Sequence, residues 1–248
     1  MSGPRSYQLG LFRSYPLLRD EDSRVKKAQK IRRALAPFLG SRGASLTCVD
    51  VGCATGLMTA ALSPSFSHCY GIDYDFSALL DRRGEDAGGT RLVNGDAMAL
   101  PLPADVIDVI ICAQVYEHVP DDRRLINELR RVLKAGGVIF FSGPNWLFPI
   151  EPHYGLPFLH WLPKSLQSKW LSALGVGGAY YEKARSYWDL RSLFRGFSLV
   201  DVGAQVFLDQ LADHKVLVWF ASYTPARFWN LILPFLPNFN WVLVKSTR

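Results

Sequence analysis

The sequence predicts an α/β protein built on a doubly wound, mostly parallel sheet of seven strands. Apolar segments of strand length alternate with helical segments five times in succession, which is the pattern of a parallel sheet with helices on both faces. The strand segments are apolar at nearly every position, as expected where both faces of a sheet are buried. With 248 residues, the chain is long enough to form one such domain around a sizeable core.

The first part of the chain supplies five strands and four helices in order. A basic amphipathic helix is predicted over 22–40, because apolar residues recur there at helical spacing before Gly40. In the last of these helices, Asp122 is the expected N-cap, and Gly136 and Gly137 are the expected stop. The predicted strands are 46–51, 68–73, 91–94, 106–112 and 138–142, and the further helices are 57–62, 76–85 and 121–134.

The alternation of strand and helix stops after Gly143. The following segment is rich in Pro, Trp, Tyr, His and Gly, and all seven tryptophans lie from Trp146 onwards. We therefore divide one domain of residues 1–248 into a ligand-binding core (22–143), a cap inserted after the fifth strand (144–185) and a part that completes the sheet (186–248). In this last part the sequence predicts a helix over 186–194, a strand over 197–207, helical pieces over 211–236 and an antiparallel final strand over 240–245.

The composition excludes several classes of protein. About half of the residues are hydrophobic and a fifth are charged, which is typical of a folded domain. The net charge of +6 is spread over short basic clusters without a nucleic-acid-binding motif, so no nucleic-acid partner is expected. The four cysteines form no C-x-x-C pair and are interpreted as buried, reduced thiols.

The sequence also indicates where the protein works. Residues 1–22 lack the apolar region of a secretory signal, and no apolar stretch approaches the length of a membrane span. A cytoplasmic protein is therefore expected. The apolar segment 225–237, which contains tryptophan and phenylalanine, has two interpretations: a helix packed in the core, or a peripheral contact with a membrane surface.

A glycine-containing loop, Asp50-Val-Gly-Cys-Ala-Thr-Gly56, follows the first strand and opens a helix. Glycines let the backbone adopt positive φ and approach a ligand closely, and the helix behind them presents free N–H groups. Asp50 is placed to orient the loop. Asp73, at the end of the second strand, suits the two hydroxyls of a ribose. After the third strand, Asp96 is placed to accept a hydrogen bond from an adenine amino group, with Ala97 beside the ring.

A nicotinamide-dependent dehydrogenase is the alternative for such a loop. Its G-x-G-x-x-G fingerprint requires glycines where this chain has Ala54 and Leu57. Two of the three glycines are thus missing, and the sequence disfavours that class.

The motifs together resemble the class I S-adenosylmethionine-dependent methyltransferases, in particular the methyltransferase type 11 group, which have a Rossmann-like fold. They cover about residues 45–145 in the order and spacing of the family. The matching segments are Val49-Asp-Val-Gly-Cys-Ala-Thr-Gly56, Gly71-Ile-Asp73, Asn94-Gly-Asp-Ala97, Glu117-His-Val-Pro-Asp121 and Leu133-Lys-Ala-Gly-Gly-Val-Ile139.

This resemblance implies S-adenosyl-L-methionine as the cofactor and assigns contacts to it. It places the methionine part at the glycine loop, the ribose at the end of the second strand, the adenine after the third strand and the methyl donor after the fourth. The residues that it implies are Gly52, Cys53 and Gly56 for the methionine part, Asp73 for the ribose, Asp96 and Ala97 for the adenine, and Gln114 for the methyl donor. Asp50, just before the loop, and Tyr74, next to Asp73, are also expected among the cofactor-binding residues.

The pair Glu117 and His118 matches a pair usual in the family. Some quinone-biosynthesis members add an acidic residue three positions earlier and use the set with a divalent metal. Here that position is Gln114, whose neutral amide is a much poorer ligand for a hard cation, so no metal is expected. His118 is left with two interpretations, a structural role or a general base.

The predicted cap carries the candidate substrate residues. Asn145, Glu151, Tyr154 and Trp161 place polar groups among aromatics and prolines, as in the wall of a pocket. His153 is the first choice for a general base. The alternative is that these side chains only pack the loop.

The function expected from these residues is methyl transfer to a small-molecule acceptor, with oxygen preferred as the acceptor atom and a lipophilic or sugar-linked molecule as one candidate acceptor. Methyl transfer is an in-line displacement for which the protein mainly supplies alignment, so a diagnostic catalytic residue is not required. Transfer to nitrogen or carbon is the alternative reaction. A non-catalytic protein that binds the cofactor or a partner is the alternative class, which the intact Gly52, Gly56, Asp73 and Asp96 disfavour.

Overall fold

The computed structural model describes residues 9–81, 90–175, 180–210 and 231–247. Its strands are β1 (Thr47–Val51), β2 (His68–Asp73), β3 (Thr90–Asn94), β4 (Ile107–Ala113), β5 (Leu133–Pro144), β6 (Ile150–Glu151), β7 (Leu156–Pro157), β8 (Phe197–Asp201) and β9 (Asn238–Lys245). Its helices are α1 (Leu11–Ser14), α2 (Glu21–Leu39), α3 (Leu57–Leu62), α4 (Phe76–Leu80), α5 (Asp122–Val132), α6 (Lys164–Ala173), α7 (Tyr187–Leu193) and α8 (Gly203–Gln210). Short 3-10 turns lie at Pro16–Leu18, Gly40–Ser45, Ser63–Ser65, Leu159–Trp161 and Leu233–Phe235.

The central sheet has seven strands in the order β3-β2-β1-β4-β5-β9-β8. Strands β1 to β5 pair in parallel, and β9 runs antiparallel to both β5 and β8. The strand order reverses between β1 and β4, and ligands of open α/β sheets bind at such a switch point, beyond the carboxyl ends of the strands. The predicted fold class is confirmed.

The two faces of the sheet bury two separate apolar clusters. In β4, Ile110 and Cys112 face the cluster that includes Leu125 and Leu129 of α5, whereas Val109 and Ile111 face the cluster with Ile31 of α2. This alternation follows from the two-residue period of a strand. All of these strand side chains are fully buried, which explains why the strand sequence is apolar without interruption.

The limits of helix α5 differ from the prediction. Its N-cap is Asp121, which accepts hydrogen bonds from the N–H groups of Arg123 and Arg124 at 2.9 and 3.2 Å. Asp122 is instead buried and pairs with the guanidinium of Arg185, 2.7 Å from Nη2 to Oδ1. The helix also ends before the two glycines, because Leu133 is buried in the sheet and begins β5 there.

The predicted strand over 197–207 is wrong in its second half. Strand β8 ends at Asp201, whose Oδ1 accepts the N–H of Gly203 at 2.8 Å, and helix α8 begins there. An apolar run this short fits a strand and a helix about equally well in the sequence. The predicted elements over 82–85 and 211–230 lie outside the described residues. In the described ranges, no helix has the length and hydropathy needed to cross a membrane.

Candidate functional site

A cavity of about 510 Å³ lies at the carboxyl ends of β1, β2 and β4, at the switch point of the sheet. This volume is in the range of small-molecule pockets, roughly 300–1,000 Å³. Eight of the residues predicted from the sequence line it: Gly52, Cys53, Asp73, Tyr74, Ala97, Gln114, His118 and His153.

The glycine loop is held in place at the floor of the cavity. Gly52 has a φ of +74°, and a Cβ there would lie 2.5 Å from Cγ2 of Val115, so only glycine fits without displacing that side chain. Ala54 also has a positive φ, 50°, and its N–H donates to Oδ2 of Asp73 at 2.7 Å. The loop and the end of β2 are thus fixed to each other.

Asp73 and Asp50 lie at different depths below the ligand space. Asp73 lines the cavity, and its Oδ1 accepts the N–H of Asp75 at 2.8 Å. Asp50 does not line it. Its carboxylate is fully buried, with Oδ2 accepting from Thr59 at 2.7 Å and Oδ1 without a hydrogen-bond partner in the described part of the chain. Burial raises the pKa of Asp50 to about 7.

The residues predicted around the adenine and the methyl donor separate in a similar way. Gly95 and Ala97 line the cavity, whereas Asp96 accepts the N–H of Met98 at 2.6 Å through Oδ1. Gly56, like Asp96, is not among the residues that line the cavity. Gln114 lines the cavity with a φ of 64°, a backbone conformation unusual for a side chain of this size. Non-glycine residues held at positive φ are concentrated at functional sites.

His153 is brought to the cavity wall by the cap segment. Its Nδ1 lies 2.7 Å from Oε1 of Glu151, and Oε2 of Glu151 accepts the N–H groups of His153 and Tyr154, each at 2.8 Å. Glu151 is 1% exposed. Burial alone would lower the pKa of His153, but the hydrogen bond to Glu151 and the charge of Glu117 raise it above its ordinary value.

His153 also contacts two other rings of the site. The His118 and His153 ring centroids are 5.3 Å apart and nearly perpendicular, and Tyr15 lies 5.8 Å from His153. Burial raises the pKa of Glu117 to about 7. One ligand atom each from Glu117, His118 and His153 lie within 4.8 Å of one another, a set that could hold a metal ion. The expectation that no metal is used considered Gln114 alone, and it remains a prediction.

The four cap residues predicted to contact the substrate do not line this cavity. The Asn145 Nδ2 group donates to the carbonyls of Pro234 and Leu236 at 2.7 and 2.9 Å. Trp161 is 42% exposed and donates to the backbone carbonyl of Trp146. Tyr154 packs near Tyr180, with ring centroids 6.2 Å apart. Glu151 does not line the cavity, and it is connected to it by its hydrogen bond with His153. Substrate contacts for these four residues remain predictions.

Sequence reasoning missed the contribution of the N-terminal segment. Phe12 and Tyr15, together with Arg24 and Lys27 of α2, line the cavity. A signal for the two basic residues existed, since they lie one helical turn apart on a helix that is otherwise amphipathic. No local pattern pointed to the two aromatics, because their position depends on how the chain before α2 folds back over the loop.

Comparisons with known proteins find relatives among the methyltransferases. A protein-family model described as a methyltransferase domain matches residues 49–141. The chain is 32% identical over 220 residues to an uncharacterized methyltransferase of Mycobacterium ulcerans, covering 85% of this chain and 81% of that protein. It is 26% identical over 199 residues to a ubiquinone biosynthesis O-methyltransferase of Methylococcus capsulatus, covering 70% and 84%.

Solved structures show the same fold. The S-adenosylmethionine-dependent methyltransferase of Mesorhizobium loti superposes with a TM-score of 0.56 at 20% identity, covering 87% of this chain and 98% of that one. A carboxylate at the end of β2, a close-approach glycine loop and a cavity of suitable volume fit the adenosine and methionine parts of this cofactor. The fold, the site and the relatives together show that the chain belongs to the class I S-adenosylmethionine-dependent methyltransferases.

Proposed function

We propose that this enzyme methylates an oxygen of a small-molecule acceptor, and that His153 takes the proton of the acceptor hydroxyl. S-adenosylmethionine, when bound, supplies an electrophilic methyl group. In the transfer, a carbon–oxygen bond forms as the carbon–sulfur bond breaks, and the hydroxyl proton goes to the imidazole.

The residues that would hold the cofactor are those of the cavity wall. Asp73 and Tyr74 would contact the ribose, Gly52 and Cys53 the methionine part, Ala97 the adenine, and Gln114 the side of the methyl donor. Three further residues would not contact the cofactor but would position the loops that do: Asp50, Gly56 and Asp96.

The observation that carries the proposal is the pairing of His153 with the buried Glu151 at the cavity wall. A carboxylate on Nδ1 fixes the ring and leaves Nε2 to exchange a proton, as in other base–carboxylate pairs. Hydroxyl acceptors carry a proton that must be removed, whereas an amine can attack through its lone pair. The similarity to a ubiquinone biosynthesis O-methyltransferase, 26% identical, also supports oxygen.

The first experiment is transfer from methyl-labelled S-adenosylmethionine into an extract of the native host, partitioned into organic and aqueous phases. Label in the organic phase would support a lipophilic acceptor and a surface contact through 225–237. Label in the aqueous phase would support a polar acceptor, such as a sugar. Cofactor binding without transfer would support the non-catalytic alternative.

The role of His153 is then tested with the labelled acceptor. His153→Ala should lower kcat by roughly 100-fold or more, the contribution of a positioned base, with unchanged affinity for S-adenosylhomocysteine. His68→Ala, at an exposed position on β2, is the control. If His153→Ala and His118→Ala both kept the wild-type rate, neither imidazole would be a base and alignment alone would explain catalysis.

A further inference from the structure

A second cavity, of about 440 Å³, adjoins the cofactor cavity between α2 and the sheet. The two cavities share three lining residues, Arg24, Lys27 and Gln114. Gln114 therefore lies between the two cavities. A ligand in the second cavity that reaches Gln114 would lie beside the methyl donor.

The α2 side of this second cavity is strongly cationic. Four basic residues line it, Arg24, Lys26, Lys27 and Lys30, against the carboxylate of Asp20. Asp20 is engaged as the N-cap of α2, where it accepts the N–H of Ser23 at 2.8 Å. Within the described ranges, none of the four basic residues forms an ion pair.

This clustering is unfavourable for the helix alone. Like charges one turn apart destabilise a helix. Lys26 and Lys30 are spaced in this way, as are Arg24 and Lys27. Burial and the nearby Arg24 lower the pKa of Lys27 to about 8. A bound anion would relieve both effects.

The opposite side of the cavity is uncharged, and it carries polar side chains from Gln114, Ser142, Asn238 and Asn240 beside the apolar Phe140 and Val206. Ser142 at the end of β5 donates to Oδ1 of Asn240 at 3.2 Å, and Gln114 donates to Oδ1 of Asn238 at the same distance. Cations on one wall and neutral hydrogen-bonding groups on the other suit an oxyanion with several oxygens, such as a phosphate.

We propose that this second cavity, the cationic subsite, binds a phosphate or diphosphate group of the acceptor, so that the acceptor's reactive end lies beside Gln114. The proposal rests on the proposed methyl transfer, because it assigns the subsite to the same acceptor. It narrows the acceptor class to phosphorylated molecules, whether soluble or attached to a lipid.

The test measures binding of inorganic pyrophosphate by calorimetry, with the protein saturated with S-adenosylhomocysteine. Wild-type protein should bind pyrophosphate, and the double variant K26Q/K30Q should bind at least roughly tenfold more weakly, a loss of about 1.4 kcal/mol. The matched control, K164Q/K169Q on α6, removes the same charge from another helix and should bind like wild type. Affinity for S-adenosylhomocysteine should be the same in all three proteins, which shows that they are folded.

Two results of the binding experiment would overturn the cationic subsite: no pyrophosphate binding by the wild type, or equal weakening in the two double variants. Methyl transfer to an unphosphorylated acceptor would also overturn it and leave the proposed function standing. Pyrophosphate binding lost only in K26Q/K30Q supports the subsite even if the transfer assay fails.

A second arm separates the two sources of phosphate. Vesicles of phosphatidylcholine with phosphatidic acid are compared with phosphatidylcholine alone. Binding that depends on phosphatidic acid and is lost in K26Q/K30Q would support a lipid-borne phosphate. Pyrophosphate binding without vesicle binding would support a soluble one.

Discussion

The Glu151 carboxylate binds His153 at two points. Its Oε2 accepts the backbone N–H of His153 at 2.8 Å, and its Oε1 lies 2.7 Å from Nδ1 of the His153 ring. One buried carboxylate therefore sets the position of the residue and the orientation of its imidazole. The hydrogen bond to this carboxylate also raises the pKa of the His153 ring.

Glu151→Gln should shift the pH profile of the reaction. Glu151 raises the pKa of His153, so loss of the carboxylate should lower that pKa. A base acts when it is neutral, and the rising limb of kcat/KM should therefore move to lower pH, with a lower plateau because the ring is less well held. Steady-state kinetics from pH 5 to 9 test this, with the exposed Glu21→Gln as control. If the rising limb stayed at the same pH in Glu151→Gln, the role of Glu151 would be contradicted. If the limb instead moved when Glu117 was replaced as well, His153 and Glu117 would titrate as a coupled pair.

Asp73→Ala should weaken the binding of S-adenosylhomocysteine by roughly tenfold or more, because it removes a charged hydrogen-bond acceptor and frees the loop at Ala54. Calorimetry measures the Kd. Asp108→Ala is the matched control, since Asp108 is also part-buried but lies at the start of β4, where it accepts the N–H of Thr47 and pairs with Lys134. Unchanged affinity in Asp73→Ala would overturn the ribose assignment.

The wild-type protein should lose stability as the pH rises through the pKa of Asp50, and Asp50→Asn should reduce this loss. The pKa of Asp50 is raised from 3.8 in the unfolded chain to about 7 in the folded protein, so the folded state holds the proton more tightly. The contribution of the Asp50 carboxyl to the free energy of unfolding is therefore favourable below about pH 4. It is lost as the pH rises to about 7, and the loss is a few kcal/mol at most. Relative to wild type, the Tm of Asp50→Asn without cofactor should thus rise between pH 5 and 8.

The control for this measurement is Asp105→Asn, at an exposed position. Its Tm should run parallel to that of the wild type over the same range, because a surface ion pair contributes little. A pH-independent difference between Asp50→Asn and wild type would show that Asp50 is ionised in both the folded and the unfolded state.

Removal of metal should leave the activity unchanged. Although Glu117, His118 and His153 could supply three ligand atoms, the neighbouring Gln114 of the same cavity offers only a neutral amide, which is a much poorer ligand for a hard cation than a carboxylate. The rate is measured after dialysis against EDTA and after addition of Zn²⁺, Mn²⁺ or Mg²⁺. Loss of activity that one of these ions restores would show instead that the three residues form a metal site.

The sequence by itself determined the fold class, and it predicted residues that line the cavity at the switch point of the sheet. Periodicity depends on which side of a strand or helix is buried, and that information is local to each element. The glycine loop and Asp73 were predictable for the same reason, since a parallel sheet places the ends of its strands at one edge. Where local patterns were ambiguous, as over 203–207, the strand prediction was wrong.

Only the tertiary structure decided which side chains meet at the reactive end of the site. His153 lies far along the chain from Gln114 and His118, and its place depends on how the cap segment packs. Contacts between residues distant in sequence hold that packing: Arg185 pairs with the buried Asp122, and the N–H of Lys183 donates to the carbonyl of Glu117 at 3.0 Å. Such contacts leave no periodic trace in the sequence, because each depends on the whole fold having already brought its two partners together.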